Sequence, residues 1–130
     1  MIRLMTRDDE PAVRALTALG HPDWTPKPDG WYRQHRVFVA DEQGIVGYTA
    51  YDLTPEGYAV GLDVVVHPDW RGKGLGDQLH GARIIDAKAQ GASYFVGSTT
   101  EEPMRKILEA WGAIKTLTTA DGPAYVTRLV

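Results

Sequence analysis

Residues 61–89, GLDVVVHPDWRGKGLGDQLHGARIIDAKA, constrain the fold more than any other part of the chain. The stretch opens as a strand, because Leu62, Val64, Val65 and Val66 form an apolar, mainly β-branched run and Pro68 then withdraws a ladder donor. It closes as a helix, since Leu75, Leu79, Ala82 and Ile85 recur at spacings of three and four and so share one face. Between the two lies Arg71-Gly72-Lys73-Gly74-Leu75-Gly76. Its three glycines leave backbone amides open where the helix begins, and those amides together with the positive helix end make a site for an anion, most naturally a phosphate or pyrophosphate.

Two other glycine-rich readings fail on spacing. A dinucleotide fingerprint needs G-x-G-x-x-G, and neither Asp77 nor Leu79 is glycine; a Walker loop needs G-K-S/T, and Lys73 is followed by Gly74. What remains is R-x-x-G-x-G between an apolar strand and an amphipathic helix. Here the chain resembles the GCN5-related N-acetyltransferase (GNAT) family, whose signature has this form and whose members hold the pyrophosphate of acetyl-CoA on these amides. The lead-in Val66-His67-Pro68-Asp69-Trp70-Arg71-Gly72 is similar to that of the family as well.

The remaining chain bounds the reading. At 130 residues a single domain, residues 1–130, is expected, and 43% apolar with 24% charged residues suits a packed globule. Cysteine is absent, which excludes a disulfide scaffold, a cysteine nucleophile and a thiolate metal site, and no histidine pair has metal-ligand spacing, so no metal is expected. A net charge of -3 argues against broad nucleic-acid binding, leaving Lys27, Arg33 and Arg36 as scattered basic candidates, and fits a cationic acceptor better. The chain starts MIRLMT and contains no apolar run of about 18 residues, so a cytoplasmic protein without signal peptide or membrane span is expected.

In chain order, residues 2–6 alternate as a short strand, and Asp8, Asp9 and Glu10 crowd the start of a helix that carries Val13, Leu16 and Leu19 on one face and ends near Gly20. Residues 21–36 contain three prolines and read as a loop with room for one short helical turn. Its Trp24, Trp31 and Tyr32 either line an acceptor cleft or cover an edge of the core. Residues 37–40 and 45–53 make a hairpin, and the central strand begins near Tyr58. After the loop and helix come a strand at 94–98, a helix at 102–111 and a final antiparallel pair at 114–119 and 124–130, joined by a turn at 120–123. Strand, helix, strand around the glycine loop predicts a parallel, right-handed crossover.

This order is similar to the GNAT family over nearly the full length. The resemblance implies an α/β fold with a mixed, mostly antiparallel sheet flanked by helices, splayed between the central strand and the strand at Tyr94. It also implies acetyl-CoA in that gap, its pantetheine arm along Val64, Val65 and Val66 and its pyrophosphate on the loop formed by Arg71, Gly72, Lys73, Gly74, Leu75, Gly76 and Asp77. The expected activity is direct acetyl transfer to a primary amine, on a small molecule, a protein or a peptide; a noncatalytic acyl-CoA-binding module that engages a protein partner is the alternative. A homodimer is compatible with an exposed sheet edge.

Acyl transfer to an amine needs a deprotonated amine, a stabilised oxyanion and a proton for the leaving thiolate. Asp63 and His67, on or beside the central strand, are candidates for the first role, and a backbone amide near Val65 or Val66 is the donor the resemblance implies for the second. For the third the chain departs from the family pattern N-x-x-A-x-x-x-Y-E-x-x-G-F. Glu101 stands for the Asn near the coenzyme and Leu108 for the proton-donating Tyr. Tyr125, Ser98 or water is left to supply the proton; Ser98 with Thr99 and Thr100 is also placed to cap the next helix or touch the coenzyme.

Overall fold

Helix and strand signals translate into eleven elements in the computed structural model, which describes residues 1–120 and 122–130. They are β1 (Ile2–Leu4), α1 (Glu10–Gly20), α2 (Trp31–Gln34), β2 (Arg36–Asp41), β3 (Ile45–Leu53), β4 (Ala59–Val66), α3 (Leu75–Ala89), β5 (Tyr94–Ser98), α4 (Glu102–Ala110), β6 (Ile114–Thr119) and β7 (Gly122–Arg128). The strands form one sheet in the order β1-β2-β3-β4-β5-β7-β6, antiparallel throughout except for the parallel β4–β5 pair. This is the mixed, mostly antiparallel sheet flanked by helices that the family resemblance implies. The expected turn at 120–123 includes Asp121, which lies outside the described residues.

Strand alternation gives the sheet two apolar faces. On one, Val37, Val39, Tyr48 and Val65 meet Val13 and Leu16 of α1 and Tyr32 of α2. On the other, Ala40 meets Leu75 and Leu79 at the start of α3, while Tyr51, Ala59 and Phe95 meet Ile84 and Ala87 nearer its end. Within the acidic cluster, Asp9 serves the capping box of the 3-10 turn that leads into α1: it accepts from the Thr6 amide at 2.7 Å and is clamped by both Arg3 Nη atoms at 2.7 and 3.0 Å. No helix among the described residues is long and apolar enough to cross a membrane.

The buried face of α3 differs from the apolar stripe expected of it. Ile85 is 67% exposed, and the packed set is Leu75, Leu79, His80, Arg83, Ile84 and Ala87. An apolar template misses this face because two of its members are ionisable. Arg83 Nη2 lies 2.9 Å from His80 Nδ1, inside a shell that includes the Phe95 and Trp111 rings. Burial, reinforced by the Arg83 charge, pushes the His80 imidazole down to about 3, so the folded state keeps it neutral.

A histidine depressed from 6.5 stabilises fully above that value and loses its contribution as pH falls toward the folded pKa. Between pH 6.5 and 5 the loss is about 2 kcal/mol. Urea unfolding at pH 7.5 and pH 5 should show this decline, and His80→Gln should flatten it; equal slopes in the two proteins would assign the acid sensitivity elsewhere.

Two irregularities of β4 shape everything that follows. In its ladder with β3, Thr49 faces Val64 but Tyr51 faces Gly61, so Leu62 and Asp63 together oppose Ala50 in a β-bulge. Against β5, pairing is confined to Ala59↔Phe95 and Val60↔Val96. From Gly61 onward the β4 edge that would face β5 has no ladder partner. The two strands diverge from that point.

Candidate active site

The divergence opens a cleft of roughly 1200 Å³. One wall is the β4 segment with Leu62, Asp63, Val64 and Val66; the other is built from Gly97 and Ser98 of β5 and Met104, Ile107 and Leu108 of α4. Gly20, His21 and Trp24 border it from the end of α1, and the glycine loop forms its mouth.

At the mouth, glycine is required for two separate reasons. Gly72 and Gly74 have φ of +76° and +82°, and a Cβ at either would meet nothing within 4 Å, so the loop is left-handed at both positions and opens to free space. Gly76 has an ordinary φ, but its Cβ would sit 3.2 Å from Ile107 Cδ1, so its lack of a side chain lets α4 approach. Gly74 is the N-cap of α3, which leaves the first helical amides facing outward as an anion cradle.

The charged residues of the loop brace it. Arg71 donates from Nε to the Val66 carbonyl and from Nη2 to the Gly20 carbonyl, both at 3.2 Å, tying the loop to β4 and α1. Asp77 accepts from Trp111 Nε1 at 2.9 Å, which fastens the start of α3 to the end of α4. Lys73 lies 5.2 Å over the Trp70 ring at the rim.

At the bulge, Asp63 Oδ2 accepts from Tyr48 OH at 2.7 Å and pairs with Lys27 Nζ at 3.1 Å. Burial, with the neighbouring Asp63 charge, holds the Tyr48 phenol far above its usual range, so it donates to the carboxylate as a neutral group. Arg83 supports the same point from beneath. Its Nη1 donates to the Ala50 carbonyl at 3.1 Å and reaches the Leu62 carbonyl at 3.5 Å, the two sides of the bulge. Burial pushes this guanidinium down to about 9, with Asp63 acting against that shift. Sequence reasoning passes over Arg83 and His80; the available signal is a charged residue four positions after Leu79 on the helix face that packs.

Other sequence candidates are dispersed. Trp24 lines the cleft, but Tyr32 is only 2% exposed and turns edge-on to Tyr48 in the core, so it cannot touch an acceptor. Trp31 packs against Tyr32 and His35. His67 lies just beyond β4, where its Nδ1 accepts from the Asp69 amide at 3.0 Å and caps a 3-10 turn instead of lining the cleft. Tyr125 is buried with Leu108 and Ala113 and borders a separate depression beside Glu101 and Arg105, not the cleft itself. Ser98 and Glu101 do line the cleft, and Leu108 does so where a proton donor was sought. Val65 turns its side chain into the core, so any role in the cleft belongs to its backbone. Among the described residues no group of three or more His, Asp or Glu is placed to hold a metal ion.

A parallel strand pair split beside a helix-capping glycine loop, with a carboxylate at the split, defines the site of this α/β protein: an open loop of backbone amides next to an unpaired strand edge. The chain belongs to the GNAT acetyltransferase family: the model of the acetyltransferase (GNAT) domain matches residues 33–113. That family indicates acetyl-CoA-dependent acyl transfer. Among curated proteins none matches the sequence. Solved structures share the fold, including yncA of Salmonella typhimurium with its cofactor acetyl-CoA, at 20% identity and a TM-score of 0.80 over 100% of this chain and 94% of that one. The GNAT family N-acetyltransferase YhbS of Escherichia coli, in complex with CoA, matches at 19% identity and a TM-score of 0.74 over 100% and 81%. The ribosomal-protein-S18-alanine N-acetyltransferase of Escherichia coli matches at 16% identity and a TM-score of 0.77 over 97% and 90%.

Proposed function

We propose that this protein transfers an acetyl group from acetyl-CoA directly to a primary amine, with Asp63 at the point of transfer. The observation that carries this reading is the unpaired edge of β4, which runs from Gly61 past the bulge at Asp63 to Val66, ahead of the anion cradle at Gly74 in the chain. The residues fit the coenzyme: the cradle is open at Gly72 and Gly74, and five residue steps from Val66 to Gly61 give a strand edge of roughly 17 Å for an extended arm.

Acetyl-CoA, when bound, supplies the acyl group as a thioester. Amides of the loop hold the diphosphate, and the free strand edge orients the arm. A β4 amide near Val65 or Val66 stabilises the negative charge that develops on the carbonyl oxygen. Asp63, oriented by Tyr48, takes the proton of the amine as it approaches past Trp24. With Leu108 unable to donate, Ser98 or water returns a proton to the departing sulfur, which is already a fair leaving group with a thiol pKa of about 8.5. The acceptor class follows from the acidic, aromatic side of the cleft: a cationic amine, on a small polyamine-like or amino-sugar molecule or on a protein or peptide.

Asp63→Asn should lower turnover about 100-fold at neutral pH while acetyl-CoA affinity, measured by calorimetry, stays within about twofold. A normal rate across pH would remove Asp63 from this role. Leu108 favours one second reading, a coenzyme-binding module without catalysis. Saturable acetyl-CoA binding with no product from a panel of amines would select it.

A further inference from the structure

Lys27 presents a primary amine to the carboxylate proposed to take the acceptor's proton. Its Nζ pairs with Asp63 Oδ2 at 3.1 Å and lies 4.5 Å from the centre of the Trp31 ring and 5.8 Å from that of Trp24. Both Asp63 and Trp24 border the cleft. A primary amine enclosed by a carboxylate and two indoles has the surroundings of a bound alkylammonium ligand. The remaining lysines, Lys73, Lys88, Lys106 and Lys115, are exposed, whereas the Lys27 side chain is 24% exposed.

The backbone keeps the amine there. Lys27 stands between Pro26 and Pro28, which fix two φ angles, and Arg14 donates to the Lys27 carbonyl at 2.7 Å and to the Pro28 carbonyl at 3.2 Å. A long flexible side chain thus projects from an anchored stretch onto the carboxylate proposed to receive the acceptor's proton.

We propose that Lys27 is an internal acceptor, acetylated on Nζ by the protein's own transfer site; this rests on the acetyl-CoA reading above. In the step, a bond forms between Nζ and the acyl carbon and the carbon–sulfur bond breaks. The electron pair of that bond leaves with sulfur as the CoA thiolate, and the protons lost by the ammonium pass through Asp63 to the thiolate and solvent. The product is an uncharged amide, so the pairing with Asp63 and the cation–indole contacts end together.

The test incubates the intact protein with acetyl-CoA and no added amine, and follows each lysine by mass-spectrometric peptide mapping. Because the amine is held in place, Lys27 should react roughly tenfold or more faster than exposed Lys106, with a rate constant independent of protein concentration. Lys27→Arg, which keeps the cation, should abolish the fast phase. Tryptophan fluorescence gives a second readout: it should change during the reaction toward the value of Lys27→Gln, and stay constant in Lys27→Arg. If calorimetry shows acetyl-CoA binding while Lys27 reacts no faster than Lys106, the internal acceptor is overturned and the transferase reading stands. If acetyl-CoA does not bind, both fall.

Discussion

Gly74→Arg should reduce acetyl-CoA affinity by roughly 100-fold or more while the domain stays folded. The residue sits at φ +82° as the N-cap of α3, and the space next to its Cα is empty. A side chain there costs about 1 kcal/mol in backbone strain and projects a long cation where the anion must dock. Gly57→Arg separates the two effects. Gly57 also has a positive φ, +90°, with nothing within 4 Å of its Cβ, but it lies in the turn before β4 and outside the cleft. Calorimetric titration should find near-normal affinity in Gly57→Arg and severe loss in Gly74→Arg; equal affinities would remove the loop from coenzyme binding.

Gly61→Val should be the most destabilising single change at the cleft. A Cβ on Gly61 would lie 2.8 Å from Phe95 Cε1 and 3.0 Å from Arg83 Nη1. Neither neighbour can yield cheaply, because Phe95 is completely buried and Arg83 is held by the bulge carbonyls and His80. Overpacking of this kind costs about 3 kcal/mol, near the upper end of the usual range, which lowers the midpoint of thermal unfolding by roughly 10 °C. An unchanged midpoint would show that β4 and β5 can separate further than the packing implies.

Glycine spacing, strand composition and proline placement made the loop, the crossover and most element boundaries legible in the sequence, because each of those signals is local. Leu62 and Asp63 show why the bulge was not: both residues suit a strand, and the extra one becomes visible only in the pairing with Ala50. Trp31 and Tyr32 show a second limit. They are neighbours of similar chemistry, yet the short α2 sends Tyr32 onto Tyr48, and only the tertiary contact decides which ring is core. Arg83 shows a third, since a period search that counts apolar residues scores a buried arginine as a break in the face it actually completes. Asp63 was legible as a candidate because it is a carboxylate in an apolar strand. Its partners Lys27 and Tyr48 come from 36 residues before it and 15 residues before it, and no local pattern links them.

The stretch carrying Trp24, Lys27 and Trp31 adds no strand to the sheet and is moored by side chains, with Arg14 gripping residues 27 and 28 and Arg71 gripping Gly20. Sheet register is therefore set without this stretch, which reaches the border of the cleft through side-chain contacts, the Lys27–Asp63 pair among them, and not through ladder hydrogen bonds.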